Sequence, residues 1–146
     1  MKKVFGFGVA LLLLLCSCEK EISNPSKDDI LGTWSKVSVV YKNSVDAEVI
    51  KTTTYNKGEI VWHFTEKKVD MGTNAHFSSE SSYTFNYPLL KVGSASYQVK
   101  KITNKTMVLW SEYSDYSGDY YLTESFERGC FDTNDTLYEK PGKPMK

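Results

Sequence analysis

The stretch Ser82-Tyr83-Thr84-Phe85-Asn86-Tyr87 alternates small polar groups with aromatic rings. Successive side chains of a β-strand point to opposite faces, so this spacing puts the three rings on one face and the polar groups on the other. The same period of two appears upstream, where Ile60, Trp62 and Phe64 alternate with Val61, His63 and Thr65. Downstream, Met107 and Leu109 alternate with Val108 and Trp110, which gives that strand apolar groups on both faces. Further β-rich runs are Ser35 to Tyr41, Val49 to Tyr55, Ala95 to Ile102 and Tyr120 to Phe126. Turn signals separate them at Asn56-Lys57-Gly58, Asn104-Lys105 and the run Ser114 to Asp119. The pattern predicts an all-β meander of roughly seven to nine short strands, which must close on itself or pack against a second sheet to hide its edges. One helical turn is expected over Lys27 to Leu31, with Asp28 or Asp29 near its start.

The ends of the chain read differently. Met1-Lys2-Lys3 is followed by an apolar run from Val4 to Leu15, too short for the ~20 residues of a spanning helix and in the order of an export signal. Leu15-Cys16-Ser17-Cys18 then resembles the lipobox of bacterial lipoproteins, with Ser17 before the cut and Cys18 after it. The resemblance implies that residues 1–17 are a signal peptide, that the Cys18 thiol takes a diacylglycerol, and that its amine takes an acyl chain such as palmitate. Such a lipid would anchor the protein to a membrane. Lys20-Glu21 loosely resembles the sorting signal of some Gram-negative lipoproteins, so the expected address is the outer membrane, facing the periplasm or the surface. Residues 18–27, polar around Pro25, read as a lipidated tether; residues 139–146, with two prolines and three lysines, read as a tail.

Composition narrows the class. Loss of Lys2 and Lys3 leaves 18 − 2 = 16 basic against 18 acidic residues, too balanced for a partner bound through phosphates, and no nucleic acid is expected. Of three cysteines only Cys130 remains once Cys16 is removed and Cys18 is lipidated, so no internal disulfide is expected and Cys130 reads as a small semi-buried strand residue. The remaining 146 − 17 = 129 residues suffice for one domain, placed at 28–138 and expected to be a monomer.

Ile30-Leu31-Gly32-Thr33-Trp34 resembles the Gly-x-Trp signature of lipocalins and their bacterial lipocalin-like relatives. The succession Trp62-His63-Phe64, Ser82 to Leu90, Tyr97-Gln98-Val99 and Thr106-Met107-Val108-Leu109 is similar to the lipocalin-like domain of small Gram-negative lipoproteins. That resemblance implies an antiparallel up-and-down β-barrel of about eight strands in which Trp34 plugs the closed end; a β-sandwich is the alternative. It further implies a small hydrophobic ligand in the barrel or at its mouth. The inward candidates are Trp34, Trp62, Phe64, Tyr83, Phe85, Tyr97, Val99, Met107 and Leu109, which either fill the interior or line a cavity. Lys36 stands two residues after Trp34 where an inward apolar group belongs, so either the strand bulges there or Lys36 sits near the rim.

Catalytic patterns are missing. His63 and His76 are not at a metal-ligand spacing, and His63 is out of phase with Trp62 and Phe64, on the solvent side. No nucleophile elbow is present. Asp132-Thr133-Asn134-Asp135 lacks the glycine and distant glutamate of a calcium loop and reads as a turn. Asp135-Thr136-Leu137 loosely resembles a bacterial O-glycosylation site. The chain is therefore expected to be a binding protein without enzyme activity, cofactor or metal. The rival reading is an interaction module that docks on an envelope protein or a glycan through Trp110, Tyr113, Tyr116 and Tyr121.

Overall fold

A computed structural model describes residues 19–129 except Ala75. Cys18, Cys130, the Asp132 to Leu137 motifs and the tail lie outside the described residues.

Helix α1 spans Lys27–Ile30, a single turn. Its start is held by Asp29, whose Oδ2 accepts from Ser26 N at 2.7 Å and from Ser26 Oγ at 3.0 Å, satisfying a backbone donor the helix itself leaves unpaired. The strands follow in chain order as β1 (Gly32–Lys42), β2 (Val49–Thr54), β3 (Ile60–Phe64), β4 (Lys68–Thr73), β5 (His76–Asn86), β6 (Leu89–Val92), β7 (Ala95–Ile102), β8 (Thr106–Asp115) and β9 (Gly118–Arg128). All pairings are antiparallel between sequence neighbours from β3 through β9, and β9 returns to pair with β1. The result is a closed up-and-down barrel of eight strands plus the extra strand β2, not a two-sheet sandwich. Closure removes the edges that a meander would otherwise expose.

β1 is the seam. One edge runs along β9, while the other is shared by β3, opposite Gly32 to Ser35, and β2, opposite Ser38 to Lys42. Between these halves the register with β9 slips, Lys36 facing Phe126 and Ser38 facing Ser125, so Val37 is a bulge. A bulge inserts one residue and flips the phase of the strand beyond it. Trp34 and Lys36 face inward before it, and Val39 does so after it, opposite Glu124.

The base of the barrel is closed by Trp34, which is fully buried. Its Nε1 donates to Ile30 O at 2.8 Å, and the Arg128 guanidinium lies over its ring, 4.1 Å from the centroid. Arg128 also donates to Leu31 O and Asp29 O, both at 2.7 Å, and to Asn104 O at 2.8 Å. One guanidinium therefore ties α1, the end of β9 and the β7–β8 turn to one indole. Gly32 sits under this clamp at φ +103°, where side chains are strained and a Cβ would stand 3.2 Å from Arg128 Nη1. Within residues 18–27, read as a tether, Ile22 and Pro25 lie against the base. Ile22 N donates to Ile102 O at 2.9 Å and its side chain packs on the core, and Pro25 is buried.

Above the plug the interior is filled with rings. Trp62 meets Phe64 and Tyr97 edge-on at 6.0 and 5.6 Å and tilts against Phe126 at 5.0 Å; Phe64 and Tyr83 form a further T-shaped pair at 5.0 Å. Val69, Leu90, Val99, Ile102, Met107 and Leu109 complete the core.

Candidate functional site

All nine residues expected to face inward belong to one cluster, with Phe85 and Tyr97 half-buried at its margin and the other seven buried. They fill the lower barrel. Tyr97, at the margin, also borders a cavity.

That cavity arises from a parting of strands. β7 and β8 pair from Ile102 opposite Met107 up to Gln98 opposite Trp110. Beyond that point β7 turns to β6, through Ala95 to Gln98, while β8 continues with β9 alone. A cavity of about 510 Å³ occupies the opening, lined among others by Tyr97, Ser111, Tyr113, Leu122, Glu112 and Glu124. Ser111 and Leu122 face each other across β8 and β9, in the same phase as the inward pairs Met107–Phe126 and Leu109–Glu124. The opening therefore reaches the inner face of the barrel.

A charge pair lies on this inner face. Lys36 Nζ pairs with Glu124 Oε2, and only 14% of the lysine side chain and 8% of the glutamate side chain are exposed. The ammonium is 5.3 Å from the Trp62 ring centroid and 5.4 Å from that of Phe126, over faces whose quadrupole favours a cation. The rim alternative for Lys36 is thus replaced by an interior one: the strand does bulge, but just after Lys36, which stays in the inward phase of Trp34. Glu124 has a signal in the sequence, since Leu122, Glu124 and Phe126 alternate on one face; a carboxylate in an otherwise apolar phase marks an interior polar group.

The field of Glu124 is felt nearby. Burial, and after it the Glu124 charge, push the Tyr97 hydroxyl from the ordinary 10.0 up to about 12. Burial, with Tyr41, Glu124 and Glu59, also raises Tyr55. A tyrosine raised in the folded state but ordinary in the unfolded chain contributes stability that is complete below pH 10.0 and is lost as pH rises toward about 12. Denaturation followed from pH 9 to pH 12 should show that decline, and Tyr97→Phe should make it shallower by removing one proton from the linkage. An unchanged slope in Tyr97→Phe would mean that this hydroxyl is not held in the buried, anion-facing setting described.

His63 lies on the outer face, its Nδ1 2.8 Å from Thr33 Oγ1. The four aromatic groups of the docking alternative do not form one surface. Trp110 and Tyr121 stack at 5.4 Å, with Lys100 over the Trp110 ring at 5.0 Å, whereas Tyr113 is in the opposite phase and paired with Tyr120; Trp110 and Tyr113 both border the cavity. Tyr116 projects fully into solvent from the β8–β9 turn. No group of three metal-ligating side chains occurs among the described residues.

Neither a protein-family model nor a curated protein matches the chain. Fold and site together define a closed β-barrel with a plugged base, a filled waist and an opening on the β7–β8 side that exposes an interior carboxylate.

Proposed function

We propose that the protein is a lipocalin-like, membrane-anchored lipoprotein that holds a small, largely apolar molecule at the open side of its barrel without catalysing a reaction on it. The observation that carries this is the cavity of about 510 Å³ where β7 and β8 part, within the size range of small-molecule sites and walled by Tyr97, Tyr113, Leu122 and Leu89 around a few polar groups. The Trp34 plug and the packed waist direct any ligand to this opening. The lipobox at Leu15-Cys16-Ser17-Cys18 supports the anchor, with Cys18 as the lipidated residue and the outer membrane as the address.

Protein purified from its native host and released gently into native mass spectrometry should carry a discrete non-covalent adduct that organic extraction recovers. Leu122→Trp, which puts an indole into the cavity, should lose that adduct while the lipid on Cys18 stays. Repeated recovery of wild-type protein free of any adduct would count against the reading.

The stacked Trp110–Tyr121 pair supports a second reading, docking of a glycan or an envelope protein on the outer wall. Both rings are half-buried, and the edges they leave in solvent suit a flat partner. Crosslinking in intact cells from a photoreactive group placed at Tyr121 would capture one dominant partner under this reading and none under the first.

A further inference from the structure

The charges around the opening are unequal. Glu124 and Glu112 both line the cavity, and among the described residues no base does. Lys36 neutralises Glu124 from the interior side, but Glu112 has no basic partner among the described residues. Lys100, on the neighbouring wall, lies over the Trp110 ring and borders a different hollow with Lys42. Among the described residues, a ligand in the cavity therefore meets one carboxylate already paired, one carboxylate unpaired, and no free cation.

One ammonium contact does not use all the lone pairs of a carboxylate. Glu124 is 6% exposed, and its Oε2 lies against the Lys36 ammonium. A buried carboxylate in this state gains from any N–H or O–H brought to it. Oε2 faces the ammonium and has no surface open to the cavity; Glu124 lines the cavity through the rest of its side chain, and Lys36 does not line it. Tyr97 keeps its proton well past neutral pH and adds no negative charge.

Resting on the ligand-site reading above, we propose that the β7–β8 opening selects amphiphiles whose polar end is a hydrogen-bond donor, above all a primary ammonium, and rejects those ending in a carboxylate. The body of such a ligand lies against Tyr97, Leu122 and Leu89, and its head reaches Glu124 with Glu112 at the rim. A carboxylate head meets two like charges, Glu124 in the buried wall and the exposed Glu112 at the rim, with only the already engaged Lys36 to offset them, and this repulsion supplies the discrimination.

The test uses the full chain carrying Cys18→Ser, so that no acyl chain of its own competes, titrated at pH 7 with octylamine, octan-1-ol and octanoate and read by calorimetry and by Trp110 fluorescence. The three probes share one tail and differ only at the head. Octylamine should bind at least about tenfold tighter than octanoate, a ratio that one charge-assisted hydrogen bond can produce, with octan-1-ol between them. Two variants separate the carboxylates: Glu112→Gln, and the paired change Lys36→Met with Glu124→Leu, which leaves no orphaned charge if the single Glu124 change fails to fold. Each should bring the ratio down, to within about threefold in the combination of both. Octanoate binding as tightly as octylamine, or a ratio unmoved in both variants, would overturn the head-group selection while leaving a ligand site in place. Absence of binding by all three probes would overturn the site reading and the selection with it.

Discussion

Trp34→Ala should lower the stability of the barrel by about 3–5 kcal/mol, the range for deleting a large buried aromatic side chain. The indole is fully buried and is held from both sides, by the Ile30 carbonyl on its Nε1 and by the Arg128 guanidinium over its face. Removing it leaves a cavity at the base and frees Arg128 from the surface that orients it toward the Leu31, Asp29 and Asn104 carbonyls. Trp34→Phe keeps a ring there and gives up the hydrogen bond, so its loss should be smaller, about 1–2 kcal/mol. Arg128→Ala should cost about 2 kcal/mol, and the double variant less than the sum of the singles, because both changes remove the same stack. Urea denaturation of the three variants and their combination measures all of this. Additive costs, or a Trp34→Ala midpoint close to wild type, would show that the base is not closed by this clamp.

The rings of Trp62, Phe64, Tyr83, Phe85 and Tyr97 could be placed inside the barrel from the sequence because a period of two survives wherever a strand is uninterrupted. β7 at Ala95–Ile102 matches the run read from the sequence residue for residue, and β3 at Ile60–Phe64 ends one residue short of the alternating run Ile60 to Thr65. β4 was not legible for the opposite reason. Lys68-Val69-Asp70-Met71-Gly72-Thr73 carries only two inward apolar groups, and its ladder slips at Met71/Gly72. Gly72 is required there by close approach rather than by a turn, since a Cβ would fall 1.9 Å from the His76 carbonyl oxygen. In the sequence that glycine looks like a strand breaker. β6, four residues long, is too short for any period to show.

The site was harder to see than the fold, and β1 shows why. Trp34 and Lys36 share the inward phase, then the bulge at Val37 moves it onto Val39. With no glycine or proline to mark the change of phase, the one warning in the strand's own sequence is Lys36 in the inward phase, which signals a bulge but does not place it at Val37. The opening between β7 and β8 is a property of two neighbouring ladders ending at the same height, Gln98 opposite Trp110, and no single strand encodes it.

Breaking the interior ion pair from one side should cost more than removing it altogether. Glu124→Leu strands the Lys36 ammonium between Trp62 and Phe126, and Lys36→Met leaves the Glu124 carboxylate on the cavity wall without its counter-charge. A fully enclosed pair broken this way loses about 3–5 kcal/mol; here the adjoining cavity admits water, and about 2–4 kcal/mol is expected for each single variant. In Lys36→Met with Glu124→Leu the space is filled by apolar groups of similar volume beside the existing rings, so stability should return to within about 1 kcal/mol of wild type. A double-mutant cycle by chemical denaturation measures the coupling, and a double variant as unstable as the two single costs added together would mean that the two groups do not act as a pair. If the coupling is as large as expected while the apolar replacement is nearly neutral, folding alone does not account for two opposite charges inside an aromatic core. Their retention is then explained by what the pair presents outward, a carboxylate held at fixed depth behind the β7–β8 opening.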